Sequence, residues 1–491
     1  MIDLETQFRK FEFKPKGVIH IGAHEANELD KYITLGFQKI LYIEANSQLA
    51  FKLKAKFQGL SNIMVAHAAI TDHNGTINLK ITSFDQSSSI LSLALHKEIY
   101  PDIQQIGEET VLARTLDLLL FELDLDPSDF NFLALDIQGA ELLALKGSIS
   151  TLRHIDAVQT EFSFAELYEG CALLPDLDKF MTLQGFGRSE IVTPHHPTWG
   201  DAFYIRRPVI SMTTLGSNGR LGNQLFQYLY LWSVAQAQNA LIHTPHWIGK
   251  ELFGLSDTTP CVIFPSVKER LSGEEADEDG NIKIHGETLL KKLPSFTNMD
   301  LWGYFQLHTS YYVARKESIQ NLFTPAPEFR LVLDGILERL RSGNKKVIAI
   351  HLRRGDYGYS IFYRAPCLWY EKWIEEEGLS PGDFRIYICS DEPRAYQSRF
   401  KDFDVMSYDS LGLDANLSAV VDFYIMTRAD MLGISNSSLS FFAAMLNSKA
   451  SRFMRPEVNS NRLVTFDPWN SNVLERKFLS DTEHNRLREQ D

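Results

Sequence analysis

The sequence predicts an α/β protein assembled from Rossmann-like βαβ units, and three observations carry that reading. Short apolar runs recur, each followed by a turn and a helical pattern: GVIHI from Gly17, FLAL from Phe132 and VIAI from Val347. Runs of this length bounded by turn signals read as buried parallel strands. The residues just beyond them include glycine, aspartate, histidine and arginine, and open α/β sheets bind ligands at that edge. Finally, 491 residues predict two to four domains, and Pro208 in IRRPVISMTTLG breaks one strand just before the next begins. The break divides the chain into a domain at 1–207 and a second at 208–491.

In the first domain, Gly17–Tyr32 reads as a strand, a turn at Gly22 and an amphipathic helix. Leu41–Asn46 is a second strand that ends in Glu44. The separation of Gly22 and Glu44, about twenty residues, is the one at which an acidic side chain grips a ribose. Phe132–Gly147 gives a strand with Asp136 at its end and then a helix. Ala157–Phe162 is another strand, which brings Glu161 to the same sheet edge as Asp136. The full G-x-G-x-x-G of dinucleotide sites is missing, and its later glycines are what let a backbone approach a pyrophosphate. This order of strands and acids therefore suits S-adenosylmethionine better than NAD. Asp136, Glu161 and His24 are the candidate proton-accepting groups at this edge. A histidine in such a turn serves equally as a structural hydrogen-bonding residue.

Several strings make residues 15–206 resemble the FkbM family of methyltransferases: GAHEANE, HAAITDHNG (His67–Gly75), SSSIL (Ser87–Leu91), RTLD (Arg114–Asp117), DIQGAE (Asp136–Glu141) and GDAFYIR (Gly200–Arg206). The resemblance implies methyl transfer from S-adenosylmethionine to a hydroxyl. It places Gly22, His24, Glu44 and Asp136 at the cofactor and Asp136 and Glu161 at the reaction; some related enzymes use such acids as metal ligands. One glycine of the first motif is replaced, and Ala26–Asn27 stands there. Alanine fits that turn only with a negative φ.

The second domain carries three polar strings between apolar segments. GRLGNQLFQY (Gly219–Tyr228) opens a helix on a glycine-rich turn, where free N–H groups attract anions. Arg220, Gly222, Asn223 and Gln224 belong to that turn. HLRRGD (His351–Asp356) follows the VIAI strand, and paired guanidinium forks suit a phosphate. ISNSSLSFFAAML (Ile434–Leu446) offers Ser435, Asn436, Ser437, Ser438 and Ser440 to cap a helix and bind ligand oxygens. Asp391 ends a further strand in YICSDEPR.

Together with GYFQ (Gly303–Gln306), these strings resemble the bacterial α-1,2-fucosyltransferases of glycosyltransferase family 11. The resemblance implies a GT-B fold of two Rossmann-like halves, GDP-fucose as donor, inversion and no required metal. It places His351, Arg353, Arg354, Arg220, Gly222, Asn223, Gln224, Asn436, Ser437 and Ser438 at the donor. Arg354, with Arg353 nearby, stabilises the charge building on the leaving GDP. Asp356 is either the base for the acceptor hydroxyl or a brace for the arginines. Asp391 lies near the nucleotide base or ribose, or caps a helix. The third motif departs from the family at Leu439 and at the Phe441–Phe442 pair, apolar for apolar. The two DLD strings, at Asp124–Asp126 and Asp176–Asp178, lie outside this domain, so no metal site is assigned.

A net charge of −14 argues against nucleic-acid partners. No apolar run is long enough to span a bilayer, which leaves peripheral membrane contact open, and no signal peptide is visible. Cys171, Cys261, Cys367 and Cys389 show no ligand spacing and read as reduced thiols of a cytoplasmic protein. Glu269–Gly280 reads as a solvated acidic loop, and the tail after Ser480 as frayed. The whole reads as a bifunctional enzyme acting on a glycan or lipid-linked oligosaccharide. It adds fucose to a galactoside and O-methylates a sugar, with that fucose as the expected target. The alternative is a fucosyltransferase whose first domain is an inert Rossmann scaffold.

Overall fold

A computed structural model describes residues 2–270, 282–412 and 417–491. The chain divides into two compact units, Met1–Val209 with Cys261–Ile263, and Ile210–Pro260 with Phe264–Asp491. Both are α/β, with largely parallel sheets.

The strands of the first unit are β1 (Gly17–Ile21), β2 (Lys39–Glu44), β3 (Ile63–His67), β4 (Ala69–Ile70), β5 (Gly75–Thr82), β6 (Gln105–Arg114), β7 (Phe132–Leu135), β8 (Ala157–Ser163), β9 (Phe186–His196) and β10 (Trp199–Arg206). The main sheet runs β3-β2-β1-β7-β8-β10-β9, and β4, β5 and β6 form a separate patch. Its first five strands are parallel, and β10 runs antiparallel to both neighbours. Every residue of β1 and β7 is buried, as a strand covered on both faces requires. The order reverses between β1 and β7, so the crevice for a ligand opens beyond Ile21 and Leu135.

The second unit has β11 (Val209–Ser211), β12 (Leu241–His243), β13 (Ser266–Glu269), β14 (Ile282–Ile284), β15 (Met299–Trp302), β16 (Lys346–Leu352), β17 (Phe384–Ser390), β18 (Asp404–Ser407), β19 (Met431–Gly433), β20 (Phe453–Glu457) and β21 (Arg462–Thr465). They make two sheets, β12-β11-β15-β13-β14 and β18-β17-β16-β19-β20-β21, two Rossmann-like halves. In the second sheet only the β20–β21 pair is antiparallel. Its order reverses between β16 and β19, which sets HLRRGD and SNSS side by side at one crevice. Two long apolar helices, Leu221–Gln238 and Ser438–Leu446, pack start against start. A Cβ on Gly222 would lie 2.4 Å from the Leu439 amide nitrogen, so only glycine allows this approach. Phe441 and Phe442, the departure from the family motif, are fully buried against Phe226.

Two expectations fail here. The tail is not frayed: Asp481–Arg488 is a helix with a Ser480–Glu483 capping box, and His484 and Leu487 are buried. The acidic loop does not begin at Glu269, which ends β13 and is buried. There it accepts from the Tyr304 and Phe305 N–H groups, both at 2.8 Å; residues 271–281 lie outside the described residues. All four cysteines are free. Among the described residues no helix is long and apolar enough to cross a membrane.

Candidate active sites

In the first unit, Gly22 begins the turn that follows β1, hard against the end of β7. Its φ is +85°, and a Cβ on it would lie 1.9 Å from the Asp136 carbonyl oxygen. That close approach leaves the ends of β1, β2, β7 and β8 around one cavity of about 770 Å³, lined by Gly22, His24, Glu44, Asp136 and Glu161 alike. The Glu44 carboxylate accepts from the N–H groups of His24 and Asn46, both at 2.8 Å, which fixes it at the rim. The turn between them contains two left-handed residues besides Gly22, His24 at φ +45° and Ala26 at φ +55°. Alanine thus sits where a negative φ was expected. Ala26 is buried, and its left-handed backbone carries a cost of about 1–2 kcal/mol that the surrounding fold must offset.

The acidic end of the cavity is organised by a residue that sequence reading missed. Gln138, itself left-handed, donates through Nε2 to Asp136 Oδ1 and to Glu161 Oε2, both at 2.8 Å. The Tyr168 hydroxyl donates to Gln138 Oε1 at 2.8 Å and holds the amide in place. Burial, with the charges of Asp136 and Glu141 adding to it, pushes the Glu161 carboxyl well above the usual range. Burial also raises Asp201, the cross-strand partner of Glu161 on β10. Among the described residues no His, Cys, Asp or Glu cluster is arranged to hold a metal ion.

Glu141 sits behind this group and accepts from the Ile137 and Gly139 N–H groups, both at 3.1 Å. Burial, and then the Asp136 charge, pushes its carboxyl up to about 7. Because the folded state holds that proton more tightly than the unfolded chain, the stability it contributes is present at low pH and lost as pH rises through about 7. Glu141→Gln keeps an accepting oxygen and has no charge to develop. In calorimetry of the full chain it is expected to melt near wild type at about pH 5 and several degrees higher at about pH 8. A Tm difference that is independent of pH would contradict the assignment.

In the second unit, the two arginines of HLRRGD part company. Arg354, expected to lead at the phosphate, is fully buried. It donates to the Asp491 carboxylate at 2.7 Å and to the Tyr396 hydroxyl at 2.8 Å, and its guanidinium lies 4.7 Å over the Tyr396 ring. Arg353 keeps part of its side chain exposed, 18% against 1% for Arg354. It donates to Asp356 at 2.6 Å and lies 3.5 Å from Asp391 and 5.7 Å over the Tyr357 ring. Asp356 also lies 3.5 Å from Arg220, so it braces arginines from two motifs. Asp391 accepts from the Arg354 N–H at 2.9 Å, which ties it to the HLRRGD turn; it caps no helix.

The remaining polar residues mostly hold one another. His351 is buried and shares a hydrogen bond of 2.7 Å with Ser435 Oγ. Burial and the two arginine charges push its pKa down to about 3, so the ring is neutral. Asn223 Oδ1 accepts from Gln306 at 2.8 Å and Ser438 at 2.9 Å, joining three motifs. Gln224 donates to the Gly216 and Gly219 carbonyls, and Asn436 is fastened to Ile361 and Glu475. The serines do not cap as expected. Neither Arg220 nor Ser437, the N-cap residues of the two abutting helices, makes a side-chain cap bond. The Tyr357 hydroxyl donates to the Asn436 carbonyl at 3.1 Å and ties Arg353 to these helix starts.

Residues 20–187 match the sequence profile of the methyltransferase FkbM domain. The N-terminal region carries an FkbM methyltransferase domain. It is 28% identical over 166 residues to the 2-O-methyltransferase NoeI of Sinorhizobium fredii (strain NBRC 101917 / NGR234), covering 32% of this chain and 68% of that protein. Among solved structures, the fucosyltransferase NodZ from Bradyrhizobium aligns at 15% identity and a TM-score of 0.30, over 53% of this chain and 98% of its own. A SAM-dependent methyltransferase from Aquifex aeolicus aligns at 14% identity and a TM-score of 0.24, over 42% of this chain and 89% of its own.

Proposed function

We propose that the chain is a bifunctional glycan-modifying enzyme: one unit transfers fucose from GDP-fucose to a galactoside hydroxyl, and the other O-methylates a sugar. For transfer, the carrying observation is the crevice where two helix starts without side-chain caps meet beside Arg353 and Arg220. Free N–H groups and the positive ends of two helices favour a diphosphate. Arg353 adds a charged fork where the leaving GDP gains charge, a role otherwise filled by a divalent ion. Arg354 acts from behind by fixing the turn.

For methylation, S-adenosylmethionine fits the residues present. Gly22 lets the turn after β1 run against the Asp136 backbone at the mouth of the cavity, and Glu44 offers carboxylate oxygens at the ribose-binding position. Asp136, Glu161 and Asp201 supply negative charge around a ligand that carries a sulfonium and an ammonium. When bound, the group supplies an electrophilic methyl carbon. Glu161, buried and held by Gln138, takes the proton that the acceptor hydroxyl releases.

The test is mass spectrometry of a galactoside library incubated with GDP-fucose, with and without S-adenosylmethionine. A deoxyhexose added with the first donor, and one further methyl with both, is the expected result. No mass change on any galactoside would sink the reading. Fucosyl transfer is also expected to persist in excess EDTA; its loss on chelation and recovery with manganese would overturn the arginine-based charge stabilisation.

A further inference from the structure

The cavity of the first unit has a side that the proposed cofactor contacts leave unused. Trp199, at the start of β10, lines it together with Tyr100 and His195. The rings of Trp199 and His195 stack at 5.6 Å and 28°, and Trp199 Nε1 donates to the Tyr100 hydroxyl at 3.3 Å. The strand register places this group against the acids. Trp199 is the cross-strand partner of Ser163, and Asp201 that of Glu161. Residues two apart on a strand share a face, and so do direct cross-strand partners. Trp199, Asp201 and Glu161 therefore lie on one face of the sheet, with the aromatic side chain one step from the carboxylates.

We propose that Trp199, Tyr100 and His195 form the acceptor subsite of the methyltransferase, a platform that stacks a neutral pyranoside and presents its hydroxyl to Glu161. The inference rests on the reading of this unit as an active methyltransferase. A pyranose ring has an apolar C–H face that suits an aromatic surface and a polar rim that suits neighbouring carboxylates. In the step itself, the hydroxyl oxygen bonds to the methyl carbon as that carbon's bond to sulfur breaks. The electron pair stays on sulfur, and the hydroxyl proton passes to the Glu161 carboxylate.

Charge selects among sugars. Glu28, Asp136, Glu161 and Asp201 line the cavity, and Lys31 is the one lysine or arginine doing so among the described residues. A sugar that carries a diphosphate would bring two or more negative charges to these acids, and like charges at close range repel. The acceptor is therefore a glycoside already released from its nucleotide, and methylation follows fucosyl transfer.

The experiment uses the full-length protein, radiolabelled S-adenosylmethionine, and either 2′-fucosyllactose or GDP-fucose as acceptor. Trp199 also packs on Leu93, Leu167 and Tyr168, so both Trp199→Ala and Trp199→Phe are compared, with cofactor affinity measured by calorimetry as the control for folding. Trp199→Ala is expected to raise KM for fucosyllactose about tenfold at unchanged cofactor Kd. Trp199→Phe should recover most of that loss, and GDP-fucose should not be methylated. An unchanged KM in Trp199→Ala, a loss of cofactor affinity in that variant, methylation of GDP-fucose in preference to the glycoside, or no transfer to either sugar overturns the platform while the cofactor reading stands. Wild type that binds no S-adenosylmethionine overturns that reading and the platform with it.

Discussion

Arg353→Ala is expected to abolish fucosyl transfer in a protein that remains folded, whereas Arg354→Ala is expected to destabilise the fold. The two side chains leave the end of β16 in different directions. Arg353 reaches the crevice edge, where Asp356 and Asp391 aim it and the starts of two helices lie close by. A charged fork lost from a water-poor phosphate site costs about 100-fold or more in turnover. Arg354 is enclosed by Asp491, Tyr396 and its own turn. Its removal strands a largely buried carboxylate, and breaking such a pair costs about 3–5 kcal/mol. Turnover with GDP-fucose and Tm, measured on both variants, separate the roles. Arg353→Ala should lose turnover at nearly unchanged Tm and still transfer methyl groups. The opposite pattern, an active Arg353→Ala beside a folded, inactive Arg354→Ala, would return the phosphate to Arg354.

That division was not legible in HLRRGD. Adjacent residues at a strand end point to opposite sides, and which side meets the core was decided by partners 42 and 137 residues away, Tyr396 and Asp491. Nothing local to the motif names them. The edge positions were legible for a physical reason: in an open parallel sheet the carboxyl ends of the strands border the crevice, so Gly22 and Asp136, just beyond their strands, and Glu44 and Glu161, in the last residues of theirs, could be placed from strand ends alone. Gln138 had one sequence signal, a polar side chain two residues beyond Asp136 at the same strand end. The ordered tail had a visible signal too, the serine and glutamate of a capping box at Ser480 and Glu483, masked by polar composition. Trp199 and Tyr100 had none, since their meeting depends on a β9–β10 hairpin register and a long connection before β6.

Glu161→Gln is expected to lower methyl transfer by about 10²–10⁴-fold, well beyond the loss of cofactor affinity that follows from removing the carboxylate's attraction for the cationic cofactor. The substitution preserves size, and the new amide oxygen can still accept from Gln138, so the cavity should keep its shape. What is lost is the ability to take a proton. The same reasoning sets the pH dependence of the wild type. Burial and the neighbouring Asp136 and Glu141 hold the Glu161 proton on above the usual carboxylate range. Only the deprotonated form is a base, so the rate should climb with pH across a limb displaced upward from ordinary glutamate. A cationic ligand beside the carboxylate pulls that limb back down, because an opposite charge favours the ionised form. The limb seen at saturating cofactor should therefore lie below the one seen in kcat/KM for a subsaturating cofactor. Rates of the wild type across pH, with Glu161→Gln and Asp136→Asn as comparisons, decide the matter. If Glu161→Gln turns over normally and Asp136→Asn carries the loss, the base is Asp136. The Gln138 clamp would then serve to hold the protonated Glu161 as a hydrogen-bond donor to the acceptor.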